Sequence, residues 1–69
     1  MKEIEVKMWE LTKEELEKLA KRYPAYRILV YDRFFSENKV IRADTVLRTG
    51  YEEDDYLFLC FDDPSRYIQ

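Results

Sequence analysis

The chain has 69 residues, of which 46% are hydrophobic and 39% charged, with a net charge of −3, no histidine and one cysteine. A chain this short has room for one domain, residues 1–69, and hides only roughly 60% of its unfolded surface, so its core must be thin. Four Phe, six Tyr and one Trp exclude a disordered acidic segment, and a lone cysteine, Cys60, excludes the intramolecular disulfides by which small secreted domains are usually held.

Charge is unevenly spread along the chain. Residues 1–22 carry six bases and six acids, residues 23–50 five and three, and residues 51–69 one base against six acids. The acidic end weakly favours a basic partner over non-specific nucleic-acid binding. The first residues alternate charged and apolar types rather than forming the apolar stretch of a signal peptide, and no run is long enough for a membrane span. Together with the unpaired cysteine this predicts a cytoplasmic protein that does not engage membranes.

Ile4, Val6 and Met8 alternate with Glu3, Glu5 and Lys7, the period of a strand with one buried face, which predicts a first strand over residues 2–9. Thr12 and Glu15 then have the spacing of a capping box, with Leu11 and Leu16 placed as a hydrophobic staple, so a helix is predicted to start at Lys13. Leu16, Leu19, Ala20 and Tyr23 fall on one stripe of that helix. Glu14 with Lys18 and Glu17 with Lys21 support its wet face, and Pro24 stops it near Arg22 or Tyr23.

Residues 26–35 are largely β-branched or aromatic in both phases, with Ile28, Val30 and Phe34 on one and Leu29, Tyr31 and Phe35 on the other, as a central strand requires. Residues 36–39 read as a polar turn with Asn38 left-handed, and residues 40–48 as a returning antiparallel strand ended by Thr49 and Gly50. A fourth strand is predicted over the apolar run 56–61. Asp63 and Pro64 are placed to cap and begin a last helical turn that lays Tyr67 and Ile68 on the body.

The expected architecture is α+β: a two-layer domain with one helix packed on a four-stranded mixed or antiparallel sheet, in the order β-α-β-β-β. Strands two to four should form an antiparallel meander, while the first pairs with a neighbour in parallel through the helical crossover.

Without histidine, the usual neutral-pH acid/base groups and Ser-His or Cys-His pairs are missing, and the chain reads as a non-enzyme with no cofactor. Cys60, set between Leu59 and Phe61, reads as a small buried hydrophobe. Glu52, Glu53, Asp54, Asp55, Asp62 and Asp63 bracket the fourth strand, but their spacing fits no calcium loop and no metal site is expected. They serve either to keep an apolar strand soluble or as an acidic recognition surface.

One short helix covers one sheet face. If Ile28 and Val30 point to it, then Arg27, Leu29, Tyr31, Arg33 and Phe35 point away, with Arg42, Val46 and Arg48 of the third strand beside them. Exposed Tyr, Arg and Leu of this kind are typical of interface centres.

The leading expectation is therefore a protein-binding module, with Tyr31, Arg33 and Arg42 as anchors and Glu52, Glu53, Asp54 and Asp55 contacting cationic side chains. Such a module suits a small regulator, for example a host-defence inhibitor from a mobile element, that blocks a basic nucleic-acid-handling partner. Single-stranded nucleic acid stacked on the Arg and Tyr face is the alternative, although no P-loop, RNP-type, KH or zinc-finger pattern is present. A homodimer built through the same face is the structural alternative.

Overall fold

The computed structural model describes residues 7–68. Its order is β1 (Trp9–Leu11), α1 (Lys13–Arg22), β2 (Arg27–Asp32), β3 (Glu37–Arg42), α2 (Ala43–Arg48) and β4 (Tyr56–Cys60), followed by a single 3-10 turn at Pro64–Arg66. The α+β class and the four-stranded sheet are as the sequence predicts. A second helix is added to the expected order. Of the expected first strand, residues 2–6 lie outside the described residues, and the described strand runs on to Leu11.

The helix α1 begins where its capping box places it. Thr12 Oγ1 accepts from the Glu15 N–H at 3.1 Å and Glu15 Oε1 accepts from the Thr12 N–H at 3.0 Å, satisfying two of the orphan donors of the first turn. Leu16, Leu19 and Ala20 are buried as one stripe, and the helix closes on Tyr23, immediately before Pro24.

Three expectations fail: the place of the β2–β3 turn, the length of the third strand and the strand pairing. The β2–β3 turn is not at residues 36–39: it occupies Arg33 to Ser36, with Ser36 rather than Asn38 left-handed at φ 54°. Asp32 Oδ1 accepts from the N–H groups of Phe34 and Phe35 at 2.9 and 3.1 Å, turning the chain earlier than the hydrophobic pattern suggests. Asn38 instead pairs with Tyr31 inside the ladder.

The third strand ends at Arg42, and Ala43–Arg48 is helical. Ala43, Val46 and Leu47 have helical spacing, and Ala43 and Val46 are buried in the common core. The first N–H groups of α2 are met by backbone carbonyls, Ala43 N–H donating to Tyr26 O at 2.7 Å and Asp44 N–H to Pro24 O at 3.1 Å. Val46 and Arg48 are therefore not on an outward sheet face, as expected of them.

The sheet is entirely antiparallel in the order β1-β4-β2-β3. The expected meander and the parallel pairing of strand one are both replaced. α2 and the following loop carry the chain back along the helix-covered face, so that β4, the most apolar strand, enters beside β2. β3, with Glu37, Asn38 and Lys39, is left at the edge, where polar side chains discourage further pairing.

Both helices lie on one face. Leu11, Leu16, Leu19, Ala20, Ile28, Val30, Ala43, Val46, Phe58 and Cys60 form the core between them and the sheet. At the chain's end Asp63 Oδ1 accepts from Ser65 N–H at 3.0 Å, capping the last turn as predicted. This brings the ring of Tyr67 within 5.6 Å of Tyr23 and 5.1 Å of Tyr26, measured between centroids.

Candidate functional site

Strand register fixes what lies on the face away from the helices, because directly paired residues share a face. Leu29 is opposite Val40 on one side and Leu59 on the other, and Leu59 is opposite Glu10. Tyr31 is opposite Asn38 and Leu57, and Arg27 is opposite Arg42. The alternate set, Ile28, Val30, Phe58 and Cys60, is buried under the helices.

No described element covers the Leu29 face. Val40 and Phe61 are 50% and 47% exposed, and Leu29, Tyr31, Leu57 and Leu59 are half-buried by one another. The apolar residues form a central stripe along β2 and β4. Arg27 and Arg42 are paired across β2 and β3 at one end of it; Glu10 is beside it on β1, and Arg33 is at its other end next to the loop that carries Asp54 and Asp55.

The sequence-predicted residues are divided by this geometry. Tyr31 is in the middle of the face. Arg33 follows β2 directly, its backbone N–H donating to Asp55 O at 3.1 Å. Its side chain lines a shallow cavity of about 430 Å³ with Glu10, Thr12, Glu53, Asp54 and Leu57. Arg42 is held by Asp44 through two bonds of 3.0 Å, Nε to Oδ1 and Nη2 to Oδ2, and this guanidinium keeps the Asp44 carboxyl below its ordinary 3.8.

Within the acidic loop, Glu52 pairs with Lys13 at 3.2 Å and Glu53 accepts from the Lys13 N–H, so both tie the loop to the start of α1. A carboxylate there also meets the positive end of the helix dipole. Asp54 and Asp55 are exposed and join no salt bridge among the described residues.

Sequence reasoning missed the contribution of β4 and of the turn. Leu57, Leu59 and Phe61 alternate with Phe58 and Cys60, a phase that a continuous apolar run conceals. Phe34, expected in the buried phase of strand two, is 83% exposed at the turn tip, edge-to-face with Phe35 at 4.8 Å between ring centroids; Phe35 is 66% exposed.

Groups with chemical potential elsewhere are closed or engaged. Cys60 is fully buried, and burial pushes its thiol up to about 12, the opposite of a reactive thiolate. Tyr67 Oη donates to Asp62 Oδ2 at 2.8 Å, a bond that lowers the Asp62 carboxyl and raises the Tyr67 hydroxyl. Among the described residues no three His, Cys, Asp or Glu side chains are grouped to hold a metal ion, and no helix is long and apolar enough to cross a membrane.

No protein-family model, curated protein or solved structure matches the chain.

Proposed function

We propose that the chain is a non-enzymatic protein-binding module that works by surface contact, with the open sheet face as its contact surface. The observation that supports this best is the placement of both helices on one side of the sheet, which leaves Leu29, Tyr31, Val40, Leu57, Leu59 and Phe61 uncovered by any described element. Contiguous apolar patches on folded surfaces mark contact sites, and Tyr and Arg supply anchors in them. The acidic loop takes a narrower part than its composition suggests, since Glu52 and Glu53 serve α1 and only Asp54 and Asp55 remain for a cationic partner. A regulator that occupies the basic groove of a nucleic-acid-handling protein fits this distribution.

The test is capture from the native source by the tagged chain and by its Leu29→Lys/Leu59→Lys variant, with and without nuclease. A stoichiometric protein that survives nuclease and is lost with the variant is expected. Equal capture by the variant, or recovery of nucleic acid alone, would contradict the proposal. Recovery of nucleic acid alone would favour the second reading, in which exposed Phe34, Phe35 and Phe61 stack bases and Arg27 tracks phosphate.

A further inference from the structure

We infer that the helix side of the sheet carries a cation site, in which Tyr51 and Tyr56 form two walls of a corner that takes a methylated ammonium group. The open face is on the other side of the sheet, so this site stands or falls independently of the proposed function.

Strand register assembles the floor of the corner. Asp32 is directly opposite Tyr56 of β4 and Glu37 of β3, and Val30 is directly opposite Phe58 and Lys39. Val30 and Phe58 are buried under the helices. Residues two apart on a strand, and directly paired residues, share a face, so Asp32, Tyr56 and Glu37 form the next row of that side, toward the β2–β3 turn.

The loop before β4 supplies the second wall. Gly50, left-handed at φ 76°, turns the chain after α2. Glu52 O then closes the acidic loop by accepting from Asp55 N–H at 3.1 Å and Tyr56 N–H at 2.9 Å. This turn brings Tyr51 beside Tyr56, with ring centroids 4.5 Å apart and ring planes at 87°. Tyr51, Tyr56, Val30, Asp32, Glu37 and Lys39 line one cavity of about 120 Å³.

The chemistry of the cavity selects its occupant. Pockets that enclose drug-sized ligands start at about 300 Å³, so this one holds a side-chain terminus or a small head group. Two rings at right angles attract a cation electrostatically and its methyl groups by dispersion. The carboxylates of Asp32 and Glu37 add negative charge, and Asp32 is fixed in place because its Oδ1 accepts from the N–H groups of Phe34 and Phe35. Burial, and after it the Asp32 carboxylate, raise the Tyr56 hydroxyl above its ordinary 10.0, so the ring beside these acids stays neutral. An unmethylated ammonium is strongly hydrated and needs an acceptor for each of its three donors, which aromatic walls do not provide. Lys39 is the cavity's own competing charge. It joins no salt bridge among the described residues, and its flexible stem lets the ammonium withdraw into water.

An NMR titration of the full chain with tetramethylammonium chloride reads the site, with sodium chloride as the control for ionic strength. Saturable shifts at the amides of Asp32, Tyr51 and Tyr56 are expected with the first salt and not with the second. Tyr51→Phe keeps the affinity. Tyr51→Leu, which leaves an apolar group against the core, weakens binding about tenfold. Asp32→Asn retains an acceptor for the turn but loses the charge, and weakens binding several-fold, whereas Lys39→Gln strengthens it. Thermal unfolding of each variant establishes that it is folded.

Two further ligands name the source of the group. A trimethyl-lysine peptide bound more tightly than its unmethylated form and than choline supports the site and assigns the group to a protein chain. Choline bound more tightly than the peptide supports the site and assigns the group to a free small molecule. The neutral carbon isostere of choline fills the same space without the charge and is expected not to bind. The inference is overturned by the absence of saturable shifts in millimolar tetramethylammonium, by equal binding of the neutral isostere, or by a folded Tyr51→Leu variant with wild-type affinity.

Discussion

Leu29 and Val30 are adjacent in the chain and opposite in the fold, one half-exposed on the open face and the other buried under the helices. Strand alternation sets them apart, and the burial of Ile28 on the same side as Val30 decides which is which. Phe58 is the largest of the fully buried side chains. Phe58→Ala should cost about 3–5 kcal/mol in urea unfolding, a large part of the stability of so short a chain.

Burial also raises the Cys60 thiol from 9.0 to about 12 and the Tyr26 hydroxyl from 10.0 to about 12. In both the fold favours the protonated form, so the contribution is complete below the unfolded value and lost as pH rises through the folded one. Asp44, Asp62 and Asp63 are lowered by their hydrogen bonds to Arg42, Tyr67 and Ser65, and their contribution is present above 3.8 and lost as pH falls below it. The urea midpoint should be level from about pH 5 to about pH 9 and then decline toward pH 12; Cys60→Ala should delay the onset of that decline to about pH 10. The buried position of Cys60 was legible in its apolar neighbours. The exposure of Phe34 was not, because it depends on Asp32 Oδ1 accepting two backbone N–H groups, and hydrophobicity carries no record of that bond.

At the scale of elements, legibility followed the strength of local chemistry. The start and end of α1 could be read because a capping box and a proline are self-contained signals within a few residues. Thr12→Ala should remove about 1 kcal/mol, measured by thermal unfolding. α2 was misread because six residues with two β-branched members satisfy a strand pattern as readily as a helical one. What makes them helical is tertiary: the carbonyls of Pro24 and Tyr26 accept from the first N–H groups, and Ala43 and Val46 fit the core beneath α1. Gly50 ends the turn after α2 at φ 76°, with open space where a Cβ would be. Gly50→Ala should therefore destabilise by about 1 kcal/mol through backbone conformation alone, with Gly50→Asn closer to wild type.

For the whole molecule, the class was legible and the strand order was not. Class follows from counting amphipathic elements, whereas order depends on which side of β2 the returning chain reaches, and that is settled by the helix the sequence concealed. The candidate site was legible to the same extent. Tyr31 and Arg33 could be placed from the phase of β2 alone, but Leu57, Leu59 and Phe61 join them only once β4 is known to pair with β2. Glu52 and Glu53 are drawn away from recognition by Lys13, a contact some forty residues distant in sequence. The proposed function depends on the resulting asymmetry, a sheet with two helices on one face and no described element on the other.

Thermal unfolding of Leu29→Lys beside Val30→Lys tests that asymmetry most directly. The open face predicts that Leu29→Lys melts within a few degrees of wild type, its ammonium reaching water, while Val30→Lys buries an unpaired charge and fails to fold. Equal loss of structure in both would mean that the Leu29 face is covered, and the contact surface proposed for it would not exist.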